Sequence, residues 1–309
     1  MASKPIFALL DASALRRSRL AGSTVLSDYW SLTKPEINVL IVLAAVAAFC
    51  LGCHEPLAHF PLVLLVDTVL GTVLVASGAG TLNQLIERQF DAQMRRTARR
   101  PIAAGRIEPI RALVFGILLS LVGCTYLALA VRPAASLLAL LTLVFYLFLY
   151  TPLKRRTPIC TLVGAFPGAM PVLIGYVAAA GKLNAPAWLL YAILFLWQFP
   201  HFMAIAWMYR EDYARAGYQV LPQGREKAWF MAGQSVFPTL ALVFVTVAPL
   251  VLRHASPVVT AGTLLLSLSF LYFAARLALV RSNVTARRLL LASVIYLPAV
   301  FVLQLLARV

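Results

Sequence analysis

The chain has 309 residues, of which 61% are hydrophobic and only 12% charged, and its mean hydropathy is +0.86. That balance excludes a water-soluble globular domain, which could not cover so much apolar surface. A formal net charge of +16 would suit a nucleic-acid binder, but the basic residues fall in short groups between long apolar runs, which places them at membrane faces instead.

Apolar stretches with at most one charged residue, long enough to cross a hydrocarbon core of about 30 Å, lie near 36–53, 62–86, 109–130, 134–150, 160–180, 186–208, 230–252, 257–279 and 288–307. The reading is an all-α integral membrane protein of about nine transmembrane helices. The runs lack the two-residue alternation that a lipid-facing barrel needs. Of the 27 Lys and Arg, all but Arg132, Lys182, Arg253 and Arg308 fall in the N-terminal arm, in the connections after spans 2, 4, 6 and 8, or in the span ends that border those connections. By the positive-inside rule those segments face the cytoplasm. Residues 1–30 read as a cytoplasmic arm without a cleavable signal, and 31–309 as one transmembrane domain in a bacterial plasma membrane.

Span 1 ends in "CLGCH", Cys50 to His54. The pattern matches covalent haem attachment, but the outer connection that follows is too short to enclose a porphyrin, so two small residues and a histidine at a helix end are the competing reading. Asp67, inside span 2 near the outer face, is expected to snorkel outward.

Span 2 runs into "NQLIERQFDAQMRRTARRP", Asn83 to Pro101. If the helix continues, Asn83, Glu87 and Asp91 share one stripe at four-residue spacing. Oxygen donors without cysteine or clustered histidine suit a hard cation such as Mg2+, which is commonly bound by one or two carboxylates together with phosphate oxygens. Arginines at the same membrane face match the bidentate geometry of phosphate. The competing reading is a set of ordinary i,i+4 ion pairs at a helix end.

Span 4 closes on "YTPLKRRTP", where Lys154, Arg155 and Arg156 either bind an anion or only set topology. Span 6 closes on "WQFPHFMAIAWMYREDYARAG". There Pro200 is expected to kink the helix, and His201 and Asp212 share a face if the helix is continuous. His201 is open between a hydrogen-bonded core residue and a ligand. Both polar constellations end the second helix of a four-helix set, so the chain reads as two four-helix repeats plus one helix around a central cavity.

These residues resemble the UbiA-type intramembrane prenyltransferases, and within them the branch that modifies haem. The signature N-x3-E-x3-D-x2-M-x-R-T-x2-R-P is filled by Asn83, Glu87, Asp91, Met94, Arg96, Thr97, Arg100 and Pro101. A second segment is "YTPLKRRTP" with "GAFPGAMP", and a third joins Gln198, Pro200, His201 and Phe202 to Asp212, Tyr213, Ala216, Gly217, Leu221 and Pro222. The likeness runs from about residue 28 to the C-terminus. One departure is Cys160, where that branch is expected to carry asparagine.

The resemblance implies farnesyl diphosphate and haem b as substrates and haem O as product. It implies Mg2+ on Asn83, Glu87, Asp91 and Asp212, with diphosphate charge met by Arg96, Arg100, Lys154 and Arg155, and His201 near the diphosphate or on the haem iron. It also implies a dry pocket around a farnesyl cation, with Phe199, Phe202, Trp207 or Tyr209 facing it. A haem A synthase and terminal oxidase assembly would be partners by analogy only. The competing functions are a UbiA-type enzyme acting on an aromatic or quinone-precursor acceptor, a secondary transporter and a haem-binding redox protein.

Overall fold

The computed structural model describes residues 24–222, 224, 226–251 and 257–306. Residues 1–23 of the expected arm, with Arg253 and Arg308, lie outside the described residues. Among those described, nine helices are long and apolar enough to cross a membrane.

A short helix, α1 (Val25–Leu32), is capped by Thr24, whose side chain accepts the Ser27 N–H. The spans follow as α2 (Pro35–Gly52), α3 (Leu62–Asp91), α4 (Pro109–Tyr126), α5 (Pro133–Val144), α6 (Cys160–Ala180) and α7 (Ala185–Met208). After a short α8 (Arg210–Arg215) come α9 (Glu226–Val251), α10 (Pro257–Val280) and α11 (Asn283–Leu306). Proline opens α2, α4, α5 and α10, where its missing N–H leaves no bond unmade. The fourth span runs past its expected end at residue 150: α5 is followed by a π-helical stretch, Phe145–Tyr150, and a last helical turn, Thr151–Leu153, that together fill the uncharged run up to Lys154. The ninth starts earlier than expected, at Asn283, since Arg287 and Arg288 are accommodated in its first turns.

In lipid, helices associate by close van der Waals packing rather than by hydrophobic burial, so small residues mark the contacts. The α2–α6 contact is the tightest of the backbone approaches: a Cβ added at Gly175 would collide with the Ala45 carbonyl oxygen. Around it Ala44, Ala48, Val172, Leu173 and Tyr176 are buried in a core shared with α7, α10 and α11. Gly175→Val is expected to destabilise the bundle by about 3 kcal/mol through overpacking, read as a lowered Tm of the detergent-solubilised protein.

Asp67 does not snorkel. It is half-buried, and its Oδ1 accepts the Tyr126 hydroxyl at 2.7 Å, a partner that α4 supplies across the helix pair. Cys53 is buried with Phe49 and Ala178, so a thioether to haem there would require that cluster to open.

At one end of the bundle the connections are tied together. Arg106, in the loop after α3, makes a two-pronged ion pair with Asp28 on α1. Gln219 N–H donates to the Lys154 carbonyl at 2.7 Å, joining the connections after the fourth and sixth spans. Arg210 reaches Asn283 on α11 at 2.8 Å. The basic segments assigned to one face by charge therefore meet in one cap.

Candidate active site

A cavity of about 410 Å³ opens beneath this cap, lined from α2, α3, the fourth span, α6, α7, α11 and the cap itself. Its walls change character along their length. Lys34, Asn83, Glu87, Asp91, Arg96, Arg100 and Lys154 gather at one part, whereas Ile41, Ala44, Val75, Ile174, Leu194 and Leu297 line another.

The α3 helix is unbroken to Asp91, so Asn83, Glu87 and Asp91 do share a stripe, and all three are buried. Each is met by a basic side chain from a different segment. Lys34 Nζ donates to Asn83 Oδ1 at 2.7 Å, Lys154 Nζ to Glu87 Oε1 at 2.9 Å, and an Arg100 guanidinium N–H to Asp91 Oδ2 at 2.7 Å. The pairs are long-range in sequence, apart from Arg100, so the interfacial-cap alternative of ordinary i,i+4 partners does not describe this helix end. Asn83 also donates to Thr151 Oγ1 at 3.1 Å, and Thr97 Oγ1 donates to the Asp91 carbonyl. Asp91 Oδ1 is buried with no hydrogen-bond partner.

Lys34 is a site residue that sequence reasoning missed, because a lysine just before an apolar span reads as a topology signal. Its backbone is left-handed, φ +53°, which turns the side chain inward at the start of α2. Burial pushes its pKa down to about 7; Arg100 and Lys154 add to the shift, while Glu87 and Asp91 oppose it. Lys154 is buried too, yet the Glu87 carboxylate with Tyr150 and Tyr146 outweighs that burial and holds it well above the ordinary lysine value. The Tyr218 hydroxyl, raised by burial and then by Glu87, stays protonated.

Other expected residues are placed differently. Helix α7 continues through Pro200 but breaks at Tyr209, φ −106°, ψ 20°, before α8 begins. The face that His201 and Asp212 were expected to share is interrupted there. Asp212 does not line the cavity; its Oδ2 accepts the Arg96 backbone N–H at 3.2 Å and its Oδ1 the Arg215 guanidinium at 3.1 Å. It staples the loop after α3 to α8. Arg155 lies outside the cavity, its guanidinium 4.1 Å above the Phe90 ring. Of the aromatic residues expected near a cation, Phe202 lines the cavity; the Tyr209 ring carries Arg96 and the Trp207 ring faces Arg210. Tyr146 and Tyr150, stacked with centroids 5.5 Å apart, line it instead. Cys160 is buried at the start of α6.

Among the described residues no group of three or more His, Cys, Asp or Glu could hold a metal alone. Two carboxylates and an amide oxygen on one stripe, with Asp91 Oδ1 unpartnered, fit a magnesium ion that completes its shell with water and phosphate oxygens.

Comparison with known proteins gives the chain a family. Residues 37–297 match the UbiA prenyltransferase family. A protoheme IX farnesyltransferase of Solibacter usitatus is 47% identical over 287 residues, covering 91% of this chain and 98% of the relative. One of Salinibacter ruber is 44% identical, covering 91% and 98%. A solved digeranylgeranylglyceryl phosphate synthase has the same fold, with a TM-score of 0.73 at 17% identity over 91% of this chain and 98% of that one. So does a UbiA homolog from Archaeoglobus fulgidus bound to GPP and Mg2+, with a TM-score of 0.65 at 15% identity over 90% and 99%. This multi-pass membrane chain belongs to the UbiA prenyltransferase family.

Proposed function

We propose that the chain transfers the farnesyl group of farnesyl diphosphate to a vinyl carbon of haem b and adds water, giving haem O. The observation that carries this reading is one cavity in which a buried array of oxygens and cations passes into apolar walls. A prenyl diphosphate has the same two parts. Relatives above 40% identity over nine-tenths of this chain bear the name protoheme IX farnesyltransferase, which selects haem b as the acceptor. The bacterial relatives and the charge asymmetry support a plasma-membrane location with the cap and the N-terminus in the cytoplasm.

Asn83, Glu87 and Asp91 would hold Mg2+, which neutralises diphosphate charge as a Lewis acid. Arg96, Arg100, Lys154 and Lys34 face the same space and offer donors to phosphate oxygens, stabilising the leaving group as its charge develops. Lys34, Lys154 and Arg100 already approach the stripe, so they need only exchange side-chain oxygens for phosphate oxygens. Asp212 acts by position, holding the loop that carries Arg96. As the allylic C–O bond breaks, the apolar wall keeps water from the farnesyl cation, and the Tyr146 and Tyr150 rings line the same space. The vinyl π electrons then form the C–C bond, moving the positive charge to the carbon beside the porphyrin. Water adds there and loses a proton.

Membranes containing the protein, supplied with haem b, farnesyl diphosphate and Mg2+, are expected to produce hydroxyethylfarnesyl haem by mass, and to stop when EDTA is added. Consumption of farnesyl diphosphate with another acceptor prenylated would overturn the haem assignment and leave the family chemistry standing.

A further inference from the structure

The reaction's last step separates it from simple prenylation. The cation beside the porphyrin has two exits: water can add to it, or the neighbouring CH2 can lose a proton and leave an alkene. Addition needs a group that takes a proton from the incoming water. Most other polar atoms on the cavity are engaged or are weak bases. The Glu87 and Asp91 carboxylates pair with Lys154 and Arg100, the open Asp91 Oδ1 belongs to the metal stripe, and Lys34 Nζ is bound to Asn83 in that same polar group. Gln198 presents its amide to the Ala165 and Leu194 carbonyls, and the tyrosines are phenols.

His201 differs. Its Nδ1 lies 2.8 Å from Ser293 Oγ on α11, and that hydroxyl donates its one hydrogen to the Leu290 carbonyl at 2.6 Å. With its proton committed, Ser293 Oγ can only accept, so His201 carries its hydrogen on Nδ1 and leaves Nε2 as a bare lone pair. The ring stacks on Trp197, centroids 4.7 Å apart. Trp197 is itself locked by a 2.8 Å bond from its Nε1 to the Ser293 carbonyl. The orientation is therefore fixed from both sides. His201 is also set back from the cation-rich mouth: it is eight residues, roughly 12 Å of helical rise, from Tyr209, whose ring carries Arg96.

We infer that His201 Nε2 is the general base for water addition, and that Ser293 is the residue that positions it by fixing its tautomer. This rests on the haem reading above. The water oxygen bonds to the carbon beside the porphyrin, the His201 lone pair takes the released proton, and the imidazolium later returns it to solvent; farnesyl diphosphate, haem b and water become haem O, diphosphate and a proton. Without the base, the same cation loses its CH2 proton to give a farnesyl-substituted vinyl haem, one water lighter.

The test is product partition, measured by mass spectrometry on membranes given haem b and farnesyl diphosphate. His201→Gln is expected to lower the ratio of hydrated to dehydrated product on the order of 100-fold, the usual scale of a general base. Ser293→Ala should lower it less, and Ser293→Thr should restore it. A merely structural role would reduce total product without moving the ratio. If His201→Gln still releases diphosphate and keeps the wild-type ratio, the base assignment is wrong; if the variant does not accumulate in membranes, an unmoved ratio in Ser293→Ala overturns it equally. A shifted haem Soret band with an unmoved ratio would assign His201 to the iron instead. Absence of any haem product from wild type is a separate outcome, which removes the acceptor assignment itself.

Discussion

Asp91→Asn is expected to lower kcat/KM for farnesyl diphosphate by about 1,000-fold, with the protein still present in membranes. The figure corresponds to about 4 kcal/mol, the scale of losing one group that stabilises leaving-group charge, here a charged oxygen donor to Mg2+. The geometry gives the reason. Asp91 is 1% exposed, its Oδ2 holds Arg100, and its Oδ1 has no partner. A buried carboxylate oxygen left unpaired costs stability unless something binds it. The amide of asparagine keeps the shape and turns one acceptor into a donor aimed at a cation site. The measurement is turnover against Mg2+ concentration: the variant should need far more metal and should not reach the wild-type rate at saturation. A variant with wild-type kcat and unchanged Mg2+ dependence would place the metal elsewhere.

The stripe on α3 was legible in the sequence because four-residue spacing is a local property: once the helix continues past Leu82, Asn83, Glu87 and Asp91 must align. The cap was legible for a different reason. Positive charge sorts segments to one membrane face, and Arg106 with Asp28 and Gln219 with Lys154 join there. What the sequence left open depends on where a helix stops or turns. Tyr209 leaves helical geometry, and that one residue rotates Asp212 away from the cavity to hold the Arg96 amide. Lys34 enters the site through a left-handed backbone that nothing in its neighbours announces. Arg155 and Lys154 are adjacent, yet one covers Phe90 and the other reaches Glu87, because successive residues on a helical turn point about 100° apart. The tautomer of His201 was beyond the sequence altogether, since it depends on a serine ninety-two residues away whose own proton is committed to Leu290.

Lys154→Met should cost both folding and activity, and a second substitution should separate the two. Lys154 and Glu87 form an ion pair of 2.9 Å with side chains 16% and 6% exposed. Removing the lysine leaves a buried carboxylate without its cation, a change expected to destabilise by about 3 kcal/mol. Lys34 lies on the same cavity but is bound to Asn83, so it can replace Lys154 only by giving up that contact. In the double variant Glu87→Gln with Lys154→Met the buried charge is gone, and stability is expected to recover most of what the single change lost, read as Tm in detergent. Activity should not recover. A cation aimed at the diphosphate and one oxygen of the metal stripe are both missing, so turnover should stay at least about 100-fold below wild type. Recovery of both stability and turnover would mean that the pair is structural only, and that the diphosphate is held by Arg96, Arg100 and Lys34 without it.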